Sequence, residues 1–538
     1  MRLPCFTSVR LLRRSIAAGV LFAVAATVGM PAAWAQSLTT TWNGGAGNGD
    51  WSNASNWTSG APLTSGTNLL RFAGSTQTTS TNSQASLPVN SIQFLSGAAS
   101  FTLSGSSIQL MGGGGPGIFN LSAANQAINN DVVMTVNSNY HATGGGTLFL
   151  NGNISGAASF TATNGGNVVL AGTNSYTGNT TIRAGLVKFE NASSLSASFL
   201  QLSGGAADSG VYGLTFDLNR GLAATGAGTM RWNLGSGGFA AFGATRTVTL
   251  SGTPSVTGTW GATNFIPNDK SLLLSHTTAD ATLVFANGIN LGGSGTTRTI
   301  EVRDGSADVD GRMSNTLSGS ANLQKTGLGT LDLTGNNTYL GTTSINAGRL
   351  LVNGNQSSAT GTMTVGAGAT LGGSGTIGSS LTTVSGFLTP GSSGTNAGLL
   401  TASALTLGST SLTQINVDGQ VRGSSYDAVN VSNALAYGGA LQFLMPTVVS
   451  GTYDIFDMTS SSGDLTAVSG TFGGTLFNFT GPSSGVWTAS LGSGTTATFT
   501  QSSGDLVIVP EPTTLALAGL GIGLGGFAAW RRRNRRVA

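Results

Sequence analysis

Residues 329–354 read GTLDLTGNNTYLGTTSINAGRLLVNG. Leu331 and Leu333 alternate with Thr330 and Asp332, the two-residue period of a strand with one apolar face. TGNN then turns the chain, and Thr343 with Ile345 makes a second strand. NAG turns it again, and Leu350 with Val352 makes a third. Three short strands separated by sharp corners describe one coil of a β-solenoid. A single coil cannot bury its own apolar side, so coils must stack.

A second copy lies upstream. GNVVLAGTNSYTGNTTIRAGLVKFEN, from Gly166, aligns without a gap and shares Leu170/Leu333, Gly172/Gly335, Asn174/Asn337, Tyr176/Tyr339, Gly178/Gly341, Thr180/Thr343, Ile182/Ile345, Ala184/Ala347 and Gly185/Gly348. Stacked backbones sit ~4.8 Å apart, so about twenty coils of roughly 20–25 residues would make a rod on the order of 100 Å long. A one-residue slip would turn Leu331 and Leu333 outward, so register is strongly specified. Asparagines at equivalent corners are expected to form hydrogen-bonded ladders along the stack.

Composition agrees with an all-β reading. Charged residues make up 8% of the 538, where ordinary globular chains carry about 25%. The 84 glycines follow no Gly-X-Y period, which excludes collagen. A chain that is 39% hydrophobic and carries little charge is also unlike a disordered one. The formal charge of +3 misleads. Nine of the 22 basic residues lie at the two ends, which leaves 13 against 19 acidic residues, a balance of −6 for the body. That argues against nucleic acid as a partner, which needs a basic face. Cys5, the only cysteine, lies in the leader, so the exported body has no disulfide and no thiolate nucleophile.

Both ends read as addresses. Residues 1–35 have the form of a secretory signal peptide: a basic start, the apolar run SIAAGVLFAVAATVGM, and a small-x-small cleavage site formed by Ala33 and Ala35 before Gln36. At the other end, Thr513 to Trp530 is an uncharged run of 18 residues, about the minimum for a membrane-spanning helix. Arg531, Arg532, Arg533, Arg535 and Arg536 follow as a stop-transfer cluster that keeps the C-terminus cytoplasmic. Pro510, Glu511 and Pro512 precede it and fix an extended backbone just outside the membrane.

Motif, apolar run and arginine cluster in that order resemble the PEP-CTERM sorting signal of Gram-negative bacteria. The resemblance implies an inner-membrane-anchored precursor whose tail is removed by an exosortase-type enzyme. It also implies a place at the cell surface, in exopolysaccharide or in biofilm matrix. The internal repeat, LQKTGLGTLDLTGNNTYLGTTSINAGRLLVNG, resembles the autotransporter-associated β-strand repeat of bacterial passenger domains, which implies a right-handed parallel β-helix. One departure matters: a sorting tail stands where an autotransporter has its outer-membrane barrel. The expected organisation is a signal peptide over 1–35, an N-terminal cap and first coils over 36–160, and a repeat-bearing solenoid over 161–400 with clear copies near 166–191 and 322–354. A C-terminal solenoid or β region over 401–508 and a sorting signal over 509–538 complete it, with the motif at 510–512, the helix at 513–530 and the arginines at 531–536.

Chemical motifs are few. Gly373–Gly378, GSGTIG, fits a dinucleotide loop by glycine abundance alone and lacks a βαβ context. Gly481–Gly485, GPSSG, has the form of a nucleophile elbow around Ser483, but His141 and His276 both precede the serine where that fold needs a histidine after it. Trp42, Trp51 and Trp57 either cap the first coil or offer faces to sugar rings. In EVRDGSADVDGR, Asp304, Asp308 and Asp310 are a calcium candidate set against an ordinary solvated turn. A β-helical polysaccharide lyase would need these carboxylates, with Glu301, to converge in a groove with Arg303 and Arg312, beside Arg231 or Lys270. The expectation is therefore a non-enzymatic, exported structural protein without cofactors, catalytic residues or an established metal site. Its expected partners are the secretion machinery, an exosortase-type enzyme, exopolysaccharide and, transiently, the inner membrane. An adhesin or polysaccharide-binding module is the alternative, and a β-helical lyase or hydrolase the next.

Overall fold

The computed structural model describes residues 37–510, apart from 114, 205–208, 252–257 and 393–395. The described chain is all-β, and its strands stack in parallel ladders from coil to coil. The longest ladder begins at Thr79–Asn82 and runs, one strand per coil, through Asn167–Leu170, Asn322–Thr326 and Thr343–Ile345 to Phe456–Gly463. Seventeen strands lie along it among the described residues, so it is about 80 Å long at the usual spacing of stacked strands.

A second ladder covers the early coils, from Ser37–Trp42 to Thr229–Trp232. A third covers the late coils, from Leu218–Leu222 to Ala467–Phe472. Shorter runs such as Ile108–Leu110, Val132–Met134 and Ile154–Gly156 close the remaining side.

Inside runs one continuous apolar column. Leu331, Leu333, Ile345, Leu350 and Val352 are fully buried, as the alternation predicts. Aromatic rings stack along the axis within it: Tyr140 lies 4.2 Å from Phe160, nearly parallel, and Phe160 is followed by Tyr176. Repeat coils advance by twenty residues, Phe160 facing Thr180 and Leu323 facing Thr343. Elsewhere they lengthen, and Arg246 faces Leu283 across a coil of 37 residues. These long coils are one reason the ladder has seventeen strands, fewer than the twenty expected.

The two sequence repeats occupy different sides of the rod. In the upstream copy, Phe160–Ala162 stands in the early ladder and Asn167–Leu170 in the longest one. In the downstream copy, the equivalent Asn322–Thr326 stands in the longest ladder and Thr330–Leu333 in the late one. The intervening chain makes a whole number of turns plus one side. The repeat therefore specifies a local strand–corner–strand unit, and the side it occupies is set by the coils between.

The asparagine ladders need correction. Amide-to-amide stacking occurs at Asn151 Nδ2 to Asn129 Oδ1, 2.8 Å. The commoner device is a corner side chain that accepts from a backbone N–H of the next coil: Asp131 from Asn153, Asn153 from Thr173, Asn322 from Thr342. An N–H at a corner has no strand partner, so a short acceptor below it satisfies a group that would otherwise be orphaned.

The C-terminal end changes architecture. Gly451–Asp454, Thr480–Ser483, Val486–Gly492, Thr495–Thr500 and Asp505–Pro510 form an antiparallel sheet. Phe499 of that sheet packs on Tyr437, Phe443 and Phe456 of the last coils. The sheet thereby shields the end of the column from water.

Candidate functional surfaces and the tail junction

At the N-terminal end, the loop after the first strand folds back over the coil. Trp42, Trp51 and Trp57 are exposed by only 1%, 0% and 3%. Trp57 stands edge-on to both Trp42 and Trp51, and Phe72 of the next coil meets all three. Each indole N–H is used internally: Trp42 donates to Gln77 O, Trp51 to Ser80 Oγ, and Trp57 to Trp51 O. The rings plug the column, and none of them presents an open face to a sugar.

The carboxylates of the 301–310 segment are not brought together. Asp310 is buried and accepts from the N–H groups of Gly305 and Thr330 and from Ser275 Oγ. Burial pushes its carboxyl above the usual range. Asp304 and Asp308 are exposed, and Glu301 pairs with Arg303 at 2.9 Å. Among the described residues no group of three His, Cys, Asp or Glu side chains is placed to hold a metal ion. Two backbone N–H groups and the Ser275 hydroxyl occupy Asp310.

The basic residues a lyase groove would need are engaged elsewhere. Arg312 pairs with Asp332 on the next coil, Arg231 with Gln201 Oε1, and Lys270 with its neighbour Asp269. His141 stacks on Phe119 at 4.5 Å, and His276 is held below its ordinary range, to about 4, by burial and then by Arg303. The glycines of GSGTIG lie against the preceding coil, where a Cβ at Gly373 would collide with the Val352 backbone. They leave no cradle for a phosphate.

Several buried ionic groups escaped the reading of the sequence, Lys325 and Asp427 among them. Lys325 Nζ donates to Gly327 O, Gly329 O and Ala347 O at 2.6, 2.5 and 2.8 Å, an ammonium caged by the corner carbonyls of two coils. Asp427 accepts from Gly398 N, Asn416 N and Asn416 Nδ2, and burial raises its pKa to about 6. Neither shows in sequence, because an isolated charge looks like a solvated one until its coil is stacked.

The tail junction is the most specific feature. Val509 and Pro510 are the exposed last residues of the final strand, in register with Thr496 and Thr495. That strand is interior to its sheet, flanked by Gly451–Asp454 and Thr495–Thr500. Ala33, Ala35 and Gln36 lie outside the described residues, as do Glu511, Pro512, the 513–530 run and the five arginines. Among the described residues no helix is long and apolar enough to cross a membrane.

Comparison with known proteins bears on these same segments. Residues 160–188 and 323–352 match the Passenger-associated-transport-repeat, and residues 509–533 match the PEP-CTERM protein-sorting motif. Both signatures are present. A stretch of 154 residues is 36% identical to a protein described as Adhesin BmaC autotransporter, from Brucella suis biovar 1 (strain 1330). That alignment takes in 27% of this chain and 4% of the adhesin, so the chain spans a small fraction of its relative's length. No solved structure matches.

Proposed function

We propose that this is an exported structural protein of the Gram-negative cell surface or extracellular matrix, sorted through its tail. The observation that carries the reading is the position of the sorting match, beginning at residue 509 where the capped solenoid ends. In this reading residues 1–35 are removed on export, with Ala33, Ala35 and Gln36 at the cut. The 513–530 run and the arginine cluster then hold the precursor in the inner membrane, and an exosortase-type enzyme acts at Pro510, Glu511 and Pro512. The cap, solenoid, C-terminal region and sorting signal divide near 160, 400 and 508. A rod closed at both ends, poor in charge and independent of disulfides, suits a spacer outside the cell.

The test is the mass and location of the protein in its native cells, wild type against Glu511→Ala. Wild type is expected to lack the leader and the tail and to be recovered at the surface or in the matrix. The variant is expected to keep its tail and stay in the inner membrane. Retention of the tail in both would reduce the segment to an anchor. The similarity to an autotransporter adhesin supports a second reading, in which the sides of the rod contact a host surface or exopolysaccharide.

A further inference from the structure

The sorting match begins at residue 509, yet Val509 and Pro510 are still paired within the C-terminal sheet. The first residues of the sorting segment thus belong to two structures at once. Val509 lies opposite Thr496 and Pro510 opposite Thr495, while Ile508, one residue earlier, is also paired on its other side with Gly451. The fold therefore holds the chain in strand pairing up to the first proline of the motif.

On the far side there is equally little room. Three residue steps separate Pro510 from Thr513, where the uncharged run begins. They span at most about 11 Å when fully extended. In the sorting reading, where the uncharged run is embedded in the membrane, that bound leaves the processing enzyme little chain to read between the sheet and the bilayer.

We propose that the antiparallel sheet gates tail processing: the segment upstream of Glu511 becomes available to the processing enzyme only when the end of the last strand frays from Thr495–Thr496. This rests on the sorting reading above and adds its regulation. Strand ends open at low free energy compared with the core, and the open fraction sets how much substrate the enzyme sees. Pro510 favours such opening, since it has no N–H to donate to the ladder. The stability of that strand end against Thr495–Thr496 then sets the rate at which the rod is released.

The experiment follows tail loss of the full-length chain in its native cells for wild type and two variants. Thr496→Cys/Val509→Cys ties the register pair together; the exported body has no other cysteine, so the bond formed is unambiguous. The second variant inserts eight Gly/Ser residues between Val509 and Pro510, which moves the whole motif clear of the sheet. The cross-linked chain is expected to be processed about tenfold more slowly than the same chain kept reduced, and the insertion variant several-fold faster than wild type. Unchanged rates in the insertion variant would overturn the gate and leave the sorting reading intact. Absence of tail loss in every chain, including wild type, would overturn the sorting reading and the gate with it.

Discussion

Individual residues in the repeat are explained by distance to the coil below. Gly172, Gly178, Gly335 and Gly341 each lie against the backbone of the preceding coil, where a Cβ would collide with a carbonyl or its neighbours. Gly341→Ala is expected to cost about 2–4 kcal/mol, since the obstructing group is backbone and cannot turn aside. Gly293→Ala, with open space around it, serves as the control and is expected to leave the melting temperature unchanged. The shared tyrosines act alike in both copies: Tyr176 bonds Thr180 and Tyr339 bonds Thr343, each at 2.6 Å. Their partner asparagines accept from the coil below, Asn174 from Ile154 N–H and Asn337 from Leu317 N–H.

Asp427 supplies a pH test at the same scale. Its folded pKa, about 6, lies above the ordinary 3.8, so the folded protein binds more protons between those values. The associated stability is fully present below 3.8 and is lost as pH rises through 6. Wild type is therefore expected to gain melting temperature on acidification from pH 7 to 4.5, relative to Asp427→Asn. A parallel shift of both proteins would show that the effect comes from other groups.

At the scale of elements, the two ends do what the repeats cannot. An uncovered coil presents an apolar column and unpaired strand edges. The three tryptophans and Phe72 cover one end, and the antiparallel sheet carrying Phe499 and Trp487 covers the other. Trp57→Ala removes the ring that contacts Trp42, Trp51 and Phe72 together. It is expected to cost about 3–5 kcal/mol and to raise concentration-dependent association, read by denaturant titration and light scattering. The C-terminal sheet was legible in part: VWTASLGSGTTATFTQSSGDLVIV alternates strongly between turn clusters, the pattern of hairpins. A solenoid coil shares that alternation, and only the pairing direction separates the two.

At the scale of the whole molecule, the ladder of seventeen strands predicts a stiff rod about 80 Å long before its caps are counted. Small-angle scattering from the body, residues 37–510, is expected to give a cross-section that stays constant along most of that length. A globular profile would contradict the stacking. Some charges of the body stand in local pairs, such as Lys188 with Glu190 and Arg422 with Asp454.

Local chemistry settled the coil, because alternation, corner glycines and the Asn-x-Tyr spacing act within twenty residues and need no knowledge of the rest. The sorting tail was legible for the same reason, as a linear address read in order. The tertiary structure alone decided which side each repeat occupies, since that depends on the summed lengths of the intervening coils. It also decided that the tryptophans face inward, that Asp310 serves backbone N–H groups, and that Lys325 is caged by carbonyls. Each of those outcomes depends on what a neighbouring coil presents some twenty or more residues away, and it takes effect only when stacking removes the water between them.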